Sequence, residues 1–158
     1  MKKIGQYTAR GIVDEDDTTT GNPQRIQLFD GRFDTAYRIT DFKIWGSDWS
    51  ADNNPDAIGK LSKNDDGSTA QASFFRADDD NQIAWAVTGG SVESGHVVFD
   101  DSIVDLDNLV VEDLYVYVRN RGGNALPVNY LVTMEKYEIS DWQGALAMAR
   151  DRAQGDIS

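Results

Sequence analysis

The stretch Leu109-Val110-Val111-Glu112-Asp113-Leu114-Tyr115-Val116-Tyr117-Val118 carries the fold class. Successive side chains of a strand point to opposite faces, so Leu114, Val116 and Val118 share one face while Tyr115 and Tyr117 share the other. Both faces are apolar or aromatic, which suits a central strand covered on each side better than a half-exposed edge. The two tyrosines therefore belong to core packing or to an interface. Val128, Tyr130, Val132 and Met134 repeat the alternation, opposed by Asn129, Leu131, Thr133 and Glu135.

Outward from these two segments, Asn/Asp-rich and glycine-containing clusters cut the chain at 14–22, 48–56, 64–68, 78–81 and 120–124. The pieces between them read as strands over 4–13, 24–29, 36–45, 57–62, 82–87, 96–99, 109–118 and 127–139, an antiparallel β-sandwich of about eight strands. Within 38–45 the alternation slips, with Tyr37 and Ile39 on one parity and Phe42 and Ile44 on the other. One inserted residue does this, so a β-bulge is expected near Thr40-Asp41.

Helical periodicity is confined to the C-terminus. Ser140-Asp141-Trp142-Gln143 is a capping box, and Trp142, Ala145, Leu146, Ala149 and Ala153 follow at spacings of three and four. Arg150 and Arg152 suit the negative end of the dipole and Gly155 is a stop, so a helix is expected over about 141–153. Its alanine-lined stripe allows close docking on the chain's own sandwich or on a neighbouring subunit.

With 158 residues, 40% of them hydrophobic, the chain fits one domain over 1–158 that buries roughly two thirds of its unfolded surface. Fifteen Lys plus Arg against 27 Asp plus Glu leave a net charge of −12, which opposes nucleic acid and anionic membranes. There is no cysteine, hence no disulfide or thiolate site, and no apolar run of membrane-spanning length. Met1-Lys2-Lys3-Ile4-Gly5-Gln6 lacks the apolar stretch of a signal peptide, so a soluble, unprocessed chain is expected. From Ala77 to Val118 there is no Lys or Arg, against ten acidic residues, read as solvated loops between strands.

Catalytic chemistry finds little foothold. His96 is the sole histidine and opens the apolar run Val97-Val98-Phe99, no serine sits in a Gly-x-Ser-x-Gly elbow, and three-ligand zinc sites want more histidines. Gly89-Gly90 and Gly122-Gly123 read as turns and not as phosphate cradles. No catalytic residue and no cofactor are expected; were hydrolysis found, Asp100, Asp101, Asp105 and Asp107 would be the carboxylates to test. A structural calcium ion is the remaining cofactor reading, with weak ligand candidates Asp14, Asp16 and Asp17, Asp52-Asn53-Asn54 with Asp56, and Asp78, Asp79 and Asp80. Trp45 and Trp49 could form a carbohydrate platform, although Trp45 ends an apolar strand and is expected in the core.

About eight strands with Asp-rich loops, the aromatic 109–118 strand, a long last strand ending Met134-Glu135-Lys136-Tyr137-Glu138-Ile139 and a capped tail helix resemble the small virion proteins of marine bacterial or archaeal viruses. The resemblance covers 5–154 and lies in layout, without catalytic signatures. It implies a jelly-roll-like sandwich with one C-terminal helix, located in the virion, acting as a capsid or capsid-decoration protein. Homo-oligomerisation and other virion shell proteins as partners follow, with Tyr115, Tyr117, Trp142 and Leu146 as interface candidates. Only Lys2 and Lys3 precede Arg10, so the basic arm of a genome-facing shell protein is missing and direct nucleic-acid contact is not expected. The alternative is a calcium- or carbohydrate-binding β-sandwich module of a larger assembly.

Overall fold

The computed structural model describes residues 2–29, 31–32, 34–47, 56–65, 67, 69–91, 97–120, 126–139 and 146. Among them are eight strands: β1 (Lys2–Val13), β2 (Gln24–Ile26), β3 (Thr35–Gly46), β4 (Ala57–Ser62), β5 (Gln82–Ser91), β6 (Val97–Val104), β7 (Leu114–Asn120) and β8 (Val128–Glu138). They form two antiparallel sheets, one of order β1-β8-β3 and one of order β2-β7-β4-β5-β6. The protein is all-β and sandwich-like. Among the described residues no helix is long and apolar enough to cross a membrane.

One apolar cluster joins the sheets. Val13, Ile39, Phe42, Ile44, Val128, Tyr130, Val132 and Met134 of the three-stranded sheet meet Ile26, Leu61, Ile83, Ala84, Ala86, Leu114, Val116 and Val118 of the other. Backbones approach closely where glycine allows it: a Cβ on Gly11 would stand 2.7 Å from the Tyr130 hydroxyl, so only a residue without one lets that ring lie across β1. The bulge expected in β3 is present, as a register shift between Ile39 and Asp41 against β8. It returns Phe42 and Ile44 to the core face after Ile39.

Several strand limits move for identifiable reasons. β5 runs through Gly89 and Gly90, expected as a turn, because their backbones pair with Phe99 and Val98 of β6. β6 extends to Val104 and carries Asp100 and Asp101, which were expected in loops. β7 starts at Leu114: Val110 instead makes a single antiparallel bridge to Tyr37, and Val111 joins Ala36 and Ile139 in a small separate cluster. β2 stops at Ile26 because the Asp113 carboxylate accepts hydrogen bonds from Arg25 Nε at 2.7 Å and from the Leu28 amide at 3.2 Å, drawing the chain out of the ladder.

The 14–22 segment, expected as a loop, holds the short helix α1 (Glu15–Thr20). It has no apolar stripe to betray it. Glu15, Asp16 and Asp17 occupy its first turn, where the dipole favours acids, and Gly21 ends it in a left-handed conformation at φ 78°. Thr18 pins it by donating to the Leu126 carbonyl at 3.0 Å. The expected tail helix, with Ser140, Trp142 and Gln143, lies outside the described residues apart from Leu146.

Candidate interaction surfaces

The outer face of the five-stranded sheet carries Lys60 between Trp85 of β5 and Tyr117 of β7. Tyr117, an interface candidate by sequence, is fully buried, and its cover comes from the connection between β4 and β5. Its hydroxyl accepts from the Gly67 amide at 3.1 Å and donates to the Asn64 carbonyl at 3.2 Å. Arg119, further along the same face, ties the connection down by donating to the Thr69 carbonyl at 2.7 Å. Of the two alternatives for Tyr117, core packing or an interface, the side chain takes core packing. A roof of own-chain residues serves because hydrogen-bonding groups of the connection meet the polar tips of an otherwise aromatic face.

Beneath the roof Lys60 is fully buried. Its ammonium donates to the Phe74 carbonyl at 2.7 Å and lies 4.4 Å from the Phe74 ring centroid and 4.9 Å from that of Tyr117. Two aromatic faces replace part of the lost hydration. Burial still pushes the Lys60 pKa down, to about 8, with Asp79 opposing the shift. Asn81, also fully buried, finds no hydrogen-bond partner for either side-chain amide atom among the described residues. Sequence reasoning missed this centre, since a lone lysine in a strand signals nothing until the connection folds over it.

Tyr115, beside Arg25 of β2, is half-buried, and burial together with the Asp65 carboxylate pushes its phenol up from the usual value. Leu146 is 56% exposed, while Trp142, Trp49, His96 and the 52–54 acidic cluster lie outside the described residues. Asp14 is the N-cap position of α1 and Asp16 and Asp17 are in its first turn. Asp78 pairs with Arg76 at 2.6 Å, which holds its carboxyl below the usual range, and Asp79 accepts from the Asn81 amide at 3.0 Å. Among the described residues no three acidic or histidine side chains converge as a metal site. Asp100 accepts from Thr88, and Asp105 from the Asp107 amide at 3.0 Å, so these carboxylates brace a strand pair and a turn.

The three-stranded sheet has a different exterior. The register places Ile12, Asn129 and Trp45 in one row across β1, β8 and β3, and Arg10, Leu131 and Lys43 in the next. Trp45, expected in the core, is 41% exposed, because the bulge that turns Phe42 and Ile44 inward turns Trp45 out. Nine of the twelve residues of β1 are exposed, including Ile4, Tyr7 and Ile12. Tyr7 points to the core side yet remains half open. The facing edge strand, β2, is only three residues long and cannot cover a strand of twelve.

Compared with protein-family models, with curated proteins and with solved structures, the chain matches none.

Proposed function

We propose that this chain is a structural subunit of a virion shell, a jelly-roll capsid or decoration protein that works by self-association and by docking on other shell proteins. The observation that carries the reading is the strand order. β1 pairs with β8, β2 with β7 and β4 with β5, the nested pairing of one long antiparallel ribbon wound over itself. The neighbours β8-β3 and β7-β4 supply the remaining links of two interleaved Greek keys. The fourth pair of such a ribbon would be β3 with β6, which do not form a ladder: Lys43 Nζ of β3 donates to Ser102 Oγ of β6 at 3.1 Å, while β6 pairs with β5.

The step from this topology to a shell role is by likeness of architecture. The exterior of the three-stranded sheet, where no described residue covers the open sides of Ile12 and Trp45, adds a second support, since a rigid block with one roofed and one partly open face is suited to contact with copies of itself. The capping box at 140–143 belongs to the same reading: a helix over about 141–153 presents Trp142 and Leu146, with Tyr115 as a further contact. Sedimentation velocity in low salt, high salt and calcium tests it. Assemblies larger than the monomer are expected, weaker for Trp142→Ala, and a monomer under every condition would remove the reading.

A further inference from the structure

Five of the eight exposed large apolar side chains of the described residues lie on two segments, the others being Trp45, Phe75 and Leu146. Ile4, Tyr7 and Ile12 are on β1, at 43%, 51% and 46% exposure; Ile103 and Leu106, at 63% and 59%, are on β6 and the turn after it. These places also carry opposite charge. β1 has Lys2, Lys3 and Arg10 and no acidic residue, within a chain of net charge −12. The strip from Asp100 to Asp107 has four aspartates and lies in the stretch from Ala77 to Val118 that contains no lysine or arginine.

β1 is the edge of one sheet and β6 the edge of the other, and β6 stands on the β3 side of the sandwich while β1 stands at the opposite end of the order β1-β8-β3. One copy therefore cannot bring its own β1 to its own strip. From this geometry we infer that β1 of one copy docks on the Asp100–Asp107 strip of the next, a head-to-tail contact between copies of this chain. The inference rests on the self-association reading and names its surfaces.

Charge selects the pairing. A symmetric β1-to-β1 contact would set three cations against three, and a strip-to-strip contact four carboxylates against four, whereas β1 on the strip joins opposite signs around apolar centres. Lys3 is already engaged by Glu135 at 2.9 Å, leaving Lys2 and Arg10, which make no ion pair among the described residues, as the cations for the neighbour. On the strip, Asp101 and Asp107 are exposed, with Ile103 between them. A contact between two unlike surfaces of one chain propagates, closing into a ring or continuing as a sheet or filament, which is what shell building requires.

The test is a charge swap read by sedimentation velocity, with circular dichroism on each protein to register folding. Lys2→Glu with Arg10→Glu makes both surfaces acidic; Asp101→Lys, Asp105→Lys and Asp107→Lys together leave three lysines against Asp100 on the strip and make both basic. Each variant alone should self-associate at least about tenfold more weakly than wild type, and an equimolar mixture should recover association, because β1 and strip are again opposite across the two proteins. Added salt should weaken wild type and mixture together. The milder Lys2→Gln with Arg10→Gln replaces the first variant if that one misfolds, and should weaken association in the same direction. Wild-type assembly that survives both swaps, or a mixture that stays dissociated, overturns this contact while leaving self-association standing. A monomeric wild type under every condition overturns both.

Discussion

The outer faces of the two sheets are built from the same alternating pattern and end in opposite states. On the five-stranded sheet, Lys60 and Tyr117 are fully buried because the connection between β4 and β5 is long enough to fold back across them and supplies Phe74, Gly67 and Asn64. On the three-stranded sheet, Ile12 and Trp45 stay 46% and 41% exposed in a row with Asn129. The difference teaches that an apolar outward face does not itself become core. It becomes core when a covalently attached segment reaches it; otherwise the face is left to a partner.

Stripping the roof should have the largest effect on the free chain. Phe74→Ala removes a fully buried ring that also walls in Lys60, and should cost about 3–5 kcal/mol in urea unfolding. A cost below about 1 kcal/mol would show that the roof is dispensable and the two faces are alike.

The edges of the three-stranded sheet sharpen the contrast. β3 is patched by Asn108, whose Oδ1 accepts from the Ile39 amide at 2.9 Å and whose Nδ2 donates to the Ile39 carbonyl at 3.1 Å, as a neighbouring strand would. β1 has no such patch among the described residues. Asn108→Ala should cost about 1–3 kcal/mol for each Ile39 group left buried without a partner, measured by the same unfolding curves.

Lys60 distinguishes the faces by pH. Its folded pKa of about 8 lies below the ordinary 10.5, so between those values the unfolded chain binds more protons and stability rises with pH. Below about 8 the ammonium is charged in both states and its contribution is flat. Tyr115, Tyr130 and Tyr137, with pKa values raised from 10.0, act in the other direction above that pH and close the window. Wild type should gain urea resistance from about pH 8 toward pH 10, and Lys60→Met should lose this slope. An unchanged slope would place Lys60 in water.

The smallest effect belongs to the bare face. Trp45→Ser should change the stability of the isolated chain by within about 0.5 kcal/mol, since nothing described covers the indole's open side. A large loss would mean the face is covered after all.

Much of the fold was legible as local periodicity. Ala57–Ser62 was read at the limits of β4, β1, β3 and β8 to within a few residues, and the parity slip between Ile39 and Phe42 located the bulge, because alternation and its interruption are properties of neighbouring residues. The candidate surfaces were less so. Tyr117 was legible as core or interface, but no pattern in 109–118 names the segment that covers it. The acids were visible as a run, whereas their division between a helix start at Asp14–Asp17, a turn at Asp78–Asp80 and an exposed strip on β6 was not.

By itself, then, the sequence determined an all-β chain of about eight antiparallel strands, its acidic balance and its basic first strand, since composition and period-two alternation are written residue by residue. The tertiary structure decided the rest: the split into sheets of three and five strands, the Gly89-Gly90 backbone joining a ladder, Lys60 losing water and β1 keeping it. The physical reason is that burial depends on which distant segment arrives. Phe74 comes from fourteen residues beyond Lys60 to cover it, and β2 is too short to do the same for β1.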